Sequence, residues 1–133
     1  MNKAVLVFAL TAISATALAD EINYYQIAEA HSARIEKNLV RYARLYGESC
    51  ANIQIINPGS WQAIKTERIC SFNGLSFETD FADAHFSEPE FSSNGLHLKL
   101  SITPLEPTGE KNKECFIPIK DKSIGPMECI DSN

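Results

Sequence analysis

The sequence lacks the short motifs that commonly carry enzyme chemistry. It has no Gly-x-Ser-x-Gly turn of the kind that serine hydrolases use, and no glycine-rich loop that could hold a phosphate. No two of its four cysteines have the short spacing of a zinc knuckle, and no histidine lies near them. The sequence therefore predicts a protein that is not an enzyme and that binds no cofactor or metal.

Two weaker groupings of polar residues do not change this prediction. Asp80, Asp83 and His85 form the only local cluster of potential metal ligands, and no second cluster completes a coordination shell. Glu88 and Glu90 resemble the paired carboxylates of glycosidases. We do not, however, expect these two carboxylates to converge on one bond.

A dense run of positive charge is also missing. The Lys and Arg residues are scattered, which argues against binding to a phosphate backbone. The formal net charge is −5, and it becomes −6 if Lys3 is removed with a signal peptide. A basic partner is electrostatically favoured over a nucleic acid.

Long apolar runs are absent except at the very start of the chain. Met1–Lys3 carry one positive charge, an apolar stretch follows, and small residues end in Ala17-Leu18-Ala19. This pattern predicts a signal peptide that is cleaved after Ala19, and nothing later resembles a membrane span. We therefore expect an exported protein, periplasmic or secreted, whose residues 20–133 form a single domain.

Export to an oxidising compartment makes two disulfides the expected state of the four cysteines. Three pairings are possible. We favour Cys50 with Cys70 and Cys115 with Cys129, because each pair flanks a segment that could fold back as a hairpin. In the chain-entropy model each bridge contributes roughly 3 kcal/mol to stability.

The first predicted element of the mature chain is an amphipathic helix from Tyr24 to Tyr46. Asn23 could cap its start and Gly47 could end it. Apolar and aromatic residues recur at steps of three and four, namely Ile27, His31, Ile35, Leu39, Tyr42, Ala43 and Tyr46. The opposite face is mainly basic and is expected to be solvated; it carries Glu29, Arg34, Lys37, Arg41 and Arg44.

Alternating residues after Gly47 predict strands. Leu96, Leu98, Leu100 and Ile102 alternate with polar residues, as in a strand that lies on a core. Earlier hairpins are predicted at Asn57–Ser60 and at Asn73-Gly74, whereas 82–93 is predicted to be a loop. The expected fold class is thus α+β, with one N-terminal amphipathic helix packed on an antiparallel β-sheet of hairpins and tied by two disulfides.

One stretch has an unusual charge pattern. No Lys or Arg occurs from Ile69 to Leu98, where acidic residues and phenylalanines are interleaved. Phe77 and Phe81 are expected in the core, while Phe86 and Phe91 need either a pocket beneath them or a partner. The predicted contact surface for a basic protein partner comprises Asp80, Asp83, His85, Phe86, Glu88, Glu90 and Phe91. The alternative is a solvated loop whose phenylalanines point inward.

The only tryptophan, Trp61, follows the turn at Asn57–Ser60. Two interpretations remain open for it. It could cap the core at the end of a hairpin, or it could be exposed for binding.

The combination of signal peptide, small size, two disulfides and acidic charge resembles bacterial periplasmic inhibitors. It is similar in particular to immunity proteins that guard the cell wall against lysozyme-like type VI secretion effectors. The resemblance implies a protein that occludes the cleft of a peptidoglycan hydrolase, a class of enzymes that is commonly basic because its substrate is anionic. Asn57–Trp61 does not match the Ser-Gly-x-x-Tyr-like loop of several periplasmic lysozyme inhibitors, so no inhibitory residue is assigned from the resemblance.

The alternative function is an accessory or structural subunit of a surface or secretion apparatus. A helix-plus-sheet domain with a C-terminal disulfide would also suit that role. Mature type IV pilins begin with a long apolar helix, whereas the mature chain here would begin with Asp20-Glu21. A homodimer is compatible with either function.

Overall fold

The computed structural model describes residues 22–132, so the predicted signal peptide lies outside the described residues. Nearly all of the described chain is β-structure, and its only helical segment is a 3-10 turn at Tyr24–Gln26. In these residues no helix is long and apolar enough to cross a membrane. The strands are β1 (Ile27–Ile35), β2 (Asn38–Leu45), β3 (Ala51–Ile56), β4 (Ala63–Ile69), β5 (Ser71–Phe72), β6 (Leu75–Ser76), β7 (Phe81–Ser92), β8 (Gly95–Pro104), β9 (Lys111–Lys120), β10 (Ser123–Ile124) and β11 (Glu128–Asp131).

The strands form two antiparallel sheets that pack face to face. One sheet has the order β1-β2-β3-β4. The other has the order β10-β9-β8-β7, and β11 pairs with a different stretch of β9. Strands β5 and β6 form a small separate hairpin. Because neighbouring strands are mostly consecutive in sequence, the topology is a chain of hairpins joined into a sandwich.

The core lies between the two sheets and is one continuous apolar cluster. The four-stranded sheet contributes Val40, Ile53 and Ile55, which are fully buried. The predicted strand around Leu98 is confirmed as β8, and its alternating residues Leu96, Leu98, Leu100 and Ile102 all face this core. The strand that the sequence indicates most clearly is thus central to the larger sheet.

The predicted helix from Tyr24 to Tyr46 is wrong, and with it the α+β fold class. This segment forms the hairpin β1–β2, which turns at Glu36-Lys37. Alanine, glutamate, arginine and leucine favour helices locally, but propensity is a weak prior. Here β2 also pairs with β3 along Leu39–Ala43, and that long-range pairing decides the structure.

The predicted loop at 82–93 is also wrong, because these residues belong to β7. Phe81 to Ser92 pairs with β8 and contains two register shifts. The second shift lies between Ser87 and Glu90 and encloses Pro89, the residue that weakened the strand pattern. Pro is tolerated here because β7 is an edge strand with a bulge.

Both predicted disulfides are confirmed. Cys50 bonds to Cys70 at the end of the β3–β4 hairpin, and Cys115 bonds to Cys129 across the pair β9–β11. None of the described cysteines is free. Two structural disulfides are typical of proteins that fold in an oxidising compartment.

Tyr42 presents a polar group to this apolar core. Its side chain is fully buried on β2, and its hydroxyl has no hydrogen-bond partner among residues 22–132. Burial raises the pKa of Tyr42 to about 12, with a further contribution from the Glu29 carboxylate, while Arg44 opposes the shift. The phenol therefore stays neutral in the folded protein well above neutral pH.

We expect Tyr42→Phe to stabilise the protein by about 1 kcal/mol at pH 7, because it removes an unpaired buried hydroxyl. The difference in the free energy of unfolding between the variant and the parent should increase at alkaline pH. The folded-state pKa lies above the unfolded value near 10, so the parent loses stability between pH 10 and 12, by up to about 2 to 3 kcal/mol, and the variant lacks this loss. Urea unfolding at pH 7 and pH 11 measures both effects.

The matched control is Tyr46→Phe, whose ring is 71% exposed. It should change stability by no more than about 0.5 kcal/mol at pH 7. A Tyr42→Phe variant that is less stable than the parent at pH 7 would show that the hydroxyl is paired after all.

Candidate functional site

Three of the predicted contact residues lie together on the outward side of β7. Asp83, His85 and Glu90 alternate with core residues and are exposed. His85 Nδ1 lies 2.9 Å from Asp83 Oδ2, and about half or more of each side chain is accessible. The strand period places these polar groups on one surface.

Glu88 reaches the same surface by a different route. It lies in the second bulge of β7 with φ of 51°, a left-handed conformation that turns its side chain out of the strand pattern. Its carboxylate lies 3.1 Å from Lys99 Nζ on β8. Both side chains are largely exposed, so this ion pair contributes little to stability.

Asp80 does not belong to this surface. It lies in the turn before β7, where its carboxylate accepts a hydrogen bond of 2.7 Å from the Ser76 backbone N–H. The Asp80 backbone N–H in turn donates to the Ser76 carbonyl. Its role in the structure is to close a turn.

Phe86 and Phe91 point inward, toward the core, and do not form a partner surface. Phe86 is only 3% exposed and packs edge-to-face against Phe77, with ring centroids 5.5 Å apart. Phe91 is half-buried and packs against the same core. Phe86 is therefore not available as a surface anchor in this fold, because β7 directs it toward the opposite sheet.

Residues from distant strands extend the acidic surface, and the prediction from sequence missed them. Glu114 lies opposite Lys99 in the β8–β9 register, and Glu128 on β11 lies opposite Phe116. Ile130, two residues after Glu128 on the same side of β11, is 69% exposed. Alternation within β9 could have indicated that Glu114 and Phe116 share a side, but only the pairing of β9 with β8 and of β8 with β7 places them on the same face as Asp83.

We call the outward side of the larger sheet the acidic face. It comprises Asp83, His85, Glu88, Glu90, His97, Lys99, Glu114, Phe116, Glu128 and Ile130. Near its centre the ring centroids of Phe116 and His97 are 4.7 Å apart, and a Cβ on Gly95 would come within 2.3 Å of the Ile117 carbonyl oxygen and 2.6 Å of the Phe116 ring. Glycine therefore lets the aromatic ring lie flat on the sheet.

The opposite side of the sandwich has the opposite charge. Arg41 on β2 donates two hydrogen bonds to Gln54 Oε1, at 3.1 and 2.5 Å. Arg68 on β4 pairs with Glu48, and Arg34 is exposed on β1. The residues that were expected on a basic helix face are thus distributed over strands, and Arg44 pairs instead with Glu29 at 3.5 Å.

A groove of about 560 Å³ lies between β4, the β5–β6 hairpin and β11. Lys113 enters it with its ammonium 5.7 Å from the centre of the Phe72 ring. Lys113 also pairs with Asp131, and this hydrogen bond holds the pKa of the Asp131 carboxyl below its usual range. The lysine in this groove thus already has an acidic and an aromatic partner.

The described residues contain no group of three or more His, Cys, Asp or Glu side chains that could hold a metal ion. The acidic face is an extended surface whose carboxylates are spread over three strands, β7, β9 and β11. In comparisons with models of known protein families, with curated proteins and with solved structures, nothing matches this chain.

Proposed function

We propose that this protein is a periplasmic inhibitor, in the role of an immunity protein, that binds a basic lysozyme-like cell-wall hydrolase and occludes its cleft. The observation that carries the proposal is the acidic face, where Asp83, Glu88, Glu90, Glu114 and Glu128 share one side of a rigid sheet. Complementary charge steers two proteins together and selects against like-charged partners.

The distribution of these carboxylates supports binding rather than bond-making. Catalytic acids and bases converge within a pocket, at hydrogen-bond distance from the reacting atoms. Here the carboxylates are exposed and spread over a sheet, around the half-buried Phe116 ring on β9, while the exposed Ile130 lies at the edge strand β11. A charged rim around an apolar centre is the general organisation of a protein interface.

The function is tested with the mature protein, residues 20–133, against a panel of purified lysozyme-class hydrolases. Hydrolysis of purified peptidoglycan is followed by turbidity, and binding is measured in parallel by surface plasmon resonance. We expect inhibition of at least one basic member at an equimolar ratio. Failure to bind or inhibit any member would contradict the proposal, and co-purification with several envelope proteins instead would favour the accessory-subunit function.

We expect the double variant Asp83→Asn, Glu90→Gln to associate with that hydrolase roughly three- to tenfold more slowly at low salt. Dissociation should change less, since exposed charges steer the encounter more than they hold the complex. The difference should shrink as salt is raised from about 20 to 150 mM, where the Debye length falls to about 8 Å.

The matched control is Glu78→Gln, Glu106→Gln, which removes the same charge at exposed positions outside the acidic face. Equal slowing by both variants would mean that only net charge matters and that the acidic face is not the contact.

A further inference from the structure

Trp61 lies at the tip of a loop that is held closed by its own hydrogen bonds. The Trp61 backbone N–H donates to the Asn57 carbonyl at 2.8 Å, and the Asn57 N–H donates to the Gln62 carbonyl at 2.9 Å. The Asn57 side chain also accepts a bond of 2.8 Å from Gly59 N–H. The loop between β3 and β4 is therefore a defined structure that fixes where the Trp61 side chain leaves the backbone.

The backbone at Trp61 is in a conformation that suits glycine. Its φ is 58°, and it ends the single turn that the bond to Asn57 closes, a position where glycine is strongly preferred. A bulky residue with this φ is an outlier, and such outliers cluster at functional sites.

Burial does not explain the tryptophan either. The side chain is 73% exposed, so it does not cap the core. Neither backbone preference nor packing favours a large aromatic residue here, whereas tryptophan is among the residues that most often dominate binding energy at protein interfaces. The exposed interpretation of Trp61 is the one that the structure shows.

The surroundings of the loop indicate what the indole binds. No Asp, Glu, Lys or Arg occurs from Ala51 to Ile64, and Ile64 is itself 36% exposed. The segment that carries the indole is therefore uncharged. A protruding ring on a rigid loop fits a pocket, since an aromatic anchor gains most when it is fully desolvated.

The topology places this loop at the same end of the sandwich as the β7–β8 turn, close to Glu90 of the acidic face. Leu39 pairs with Ile56, which puts the loop beside the turn at Glu36-Lys37. Asn38 donates to the Asp121 carbonyl at 2.8 Å, which joins the two sheets at this end. Glu90 lies near this end too, because β7 turns into β8 there.

We propose that Trp61 is the anchor of the complex and inserts into an apolar pocket on the hydrolase that the acidic face attracts. This inference rests on the proposed function. The two regions have different tasks: the carboxylates set the association rate, and the indole sets the dissociation rate. The indole contribution does not depend on salt, because the indole is uncharged and binds by desolvation.

The decisive variant is Trp61→Gly, because a structural role and a binding role predict opposite results. Glycine relieves the left-handed backbone, so the melting temperature should stay the same or rise. Dissociation from the hydrolase identified above should be at least about thirty-fold faster, at 20 and at 150 mM salt alike. Leu105→Gly is the control, since Leu105 is 67% exposed in a loop at the opposite end of the sandwich.

A direct reporter uses the fact that the chain has one tryptophan. Incorporation of 5-fluorotryptophan gives a single fluorine NMR signal from the loop. This signal should move when the hydrolase is added, and it should not move when soluble peptidoglycan fragments are added alone.

Each outcome decides something. If the parent binds a hydrolase and Trp61→Gly binds it equally well, the anchor is overturned while the inhibitor function stands. If Trp61→Gly lowers the melting temperature strongly, Trp61 is structural and the proposal is wrong. A signal that moves with peptidoglycan fragments alone would make the loop a glycan site instead. If the parent binds no hydrolase, the proposed function and the anchor fail together.

Discussion

Replacing Phe86 with alanine is expected to lower the free energy of unfolding by about 3 to 5 kcal/mol. Phe86 lies opposite Leu100 in the β7–β8 register and packs edge-to-face on Phe77, so its removal leaves a cavity between the two sheets. The loss combines the transfer energy of the ring with the cavity, because the surrounding strands relax only in part. Urea unfolding followed by circular dichroism measures it.

The control is Ile130→Ala on the same sheet, where the side chain is 69% exposed. Its effect should stay within about 0.5 kcal/mol. If the alanine variant does not fold, Phe86→Leu replaces it. Leucine removes less volume, so this variant should be destabilised less but still more than Ile130→Ala. If Phe86→Ala were as stable as the parent and weakened only binding, Phe86 would be a surface anchor and the structure of β7 would be wrong.

Removing either disulfide is expected to lower the free energy of unfolding by about 3 kcal/mol. Cys50 and Cys70 are separated by 20 residues, and Cys115 and Cys129 by 14. In the chain-entropy model these lengths differ in effect by only about 0.3 kcal/mol, so the two double alanine variants should be almost equally destabilised. Both pairs join strands that are already paired, so the native sheets should persist.

Thermal unfolding of each double variant, with and without a reducing agent, tests this expectation. Reduction should destabilise the parent more than either variant, because the parent loses two bridges. A variant whose stability equals that of the parent would show that the corresponding bridge does not constrain the unfolded chain. Circular dichroism of the native state checks that the strand content is retained.

Local sequence signals correctly predicted turns and hairpins where the tertiary structure favours the same local conformation. Asn73-Gly74 formed the expected tight hairpin, and the hairpin predicted at Asn57–Ser60 joins β3 to β4. The disulfide pairing followed from the hairpins that each cysteine pair flanks, because a turn brings the residues on either side of it together whatever the rest of the chain does. Such signals act over a few residues and need no distant partner.

The errors arose where a local signal competed with distant pairing. Residues 24–46 have the composition and spacing of a helix, yet β2 is held between β1 and β3. At 82–93 the bulge around Pro89 interrupts the alternation in the sequence, but pairing with β8 continues on both sides of it. The choice of secondary structure in both segments depends on partners that a local pattern does not show.

The sequence by itself determined the acidic character of the candidate site and the inward side of the strand around Leu98, and among three possible disulfide pairings it favoured the one that the structure has. Charge, cysteine spacing and alternation are properties of the chain and do not depend on its path. Only the tertiary structure decided that Phe86 is core and that Glu114 and Glu128 join Asp83 on one face, because sharing a face depends on strand order. The structure likewise decided that Trp61 is exposed, since burial depends on what the rest of the chain brings to that loop.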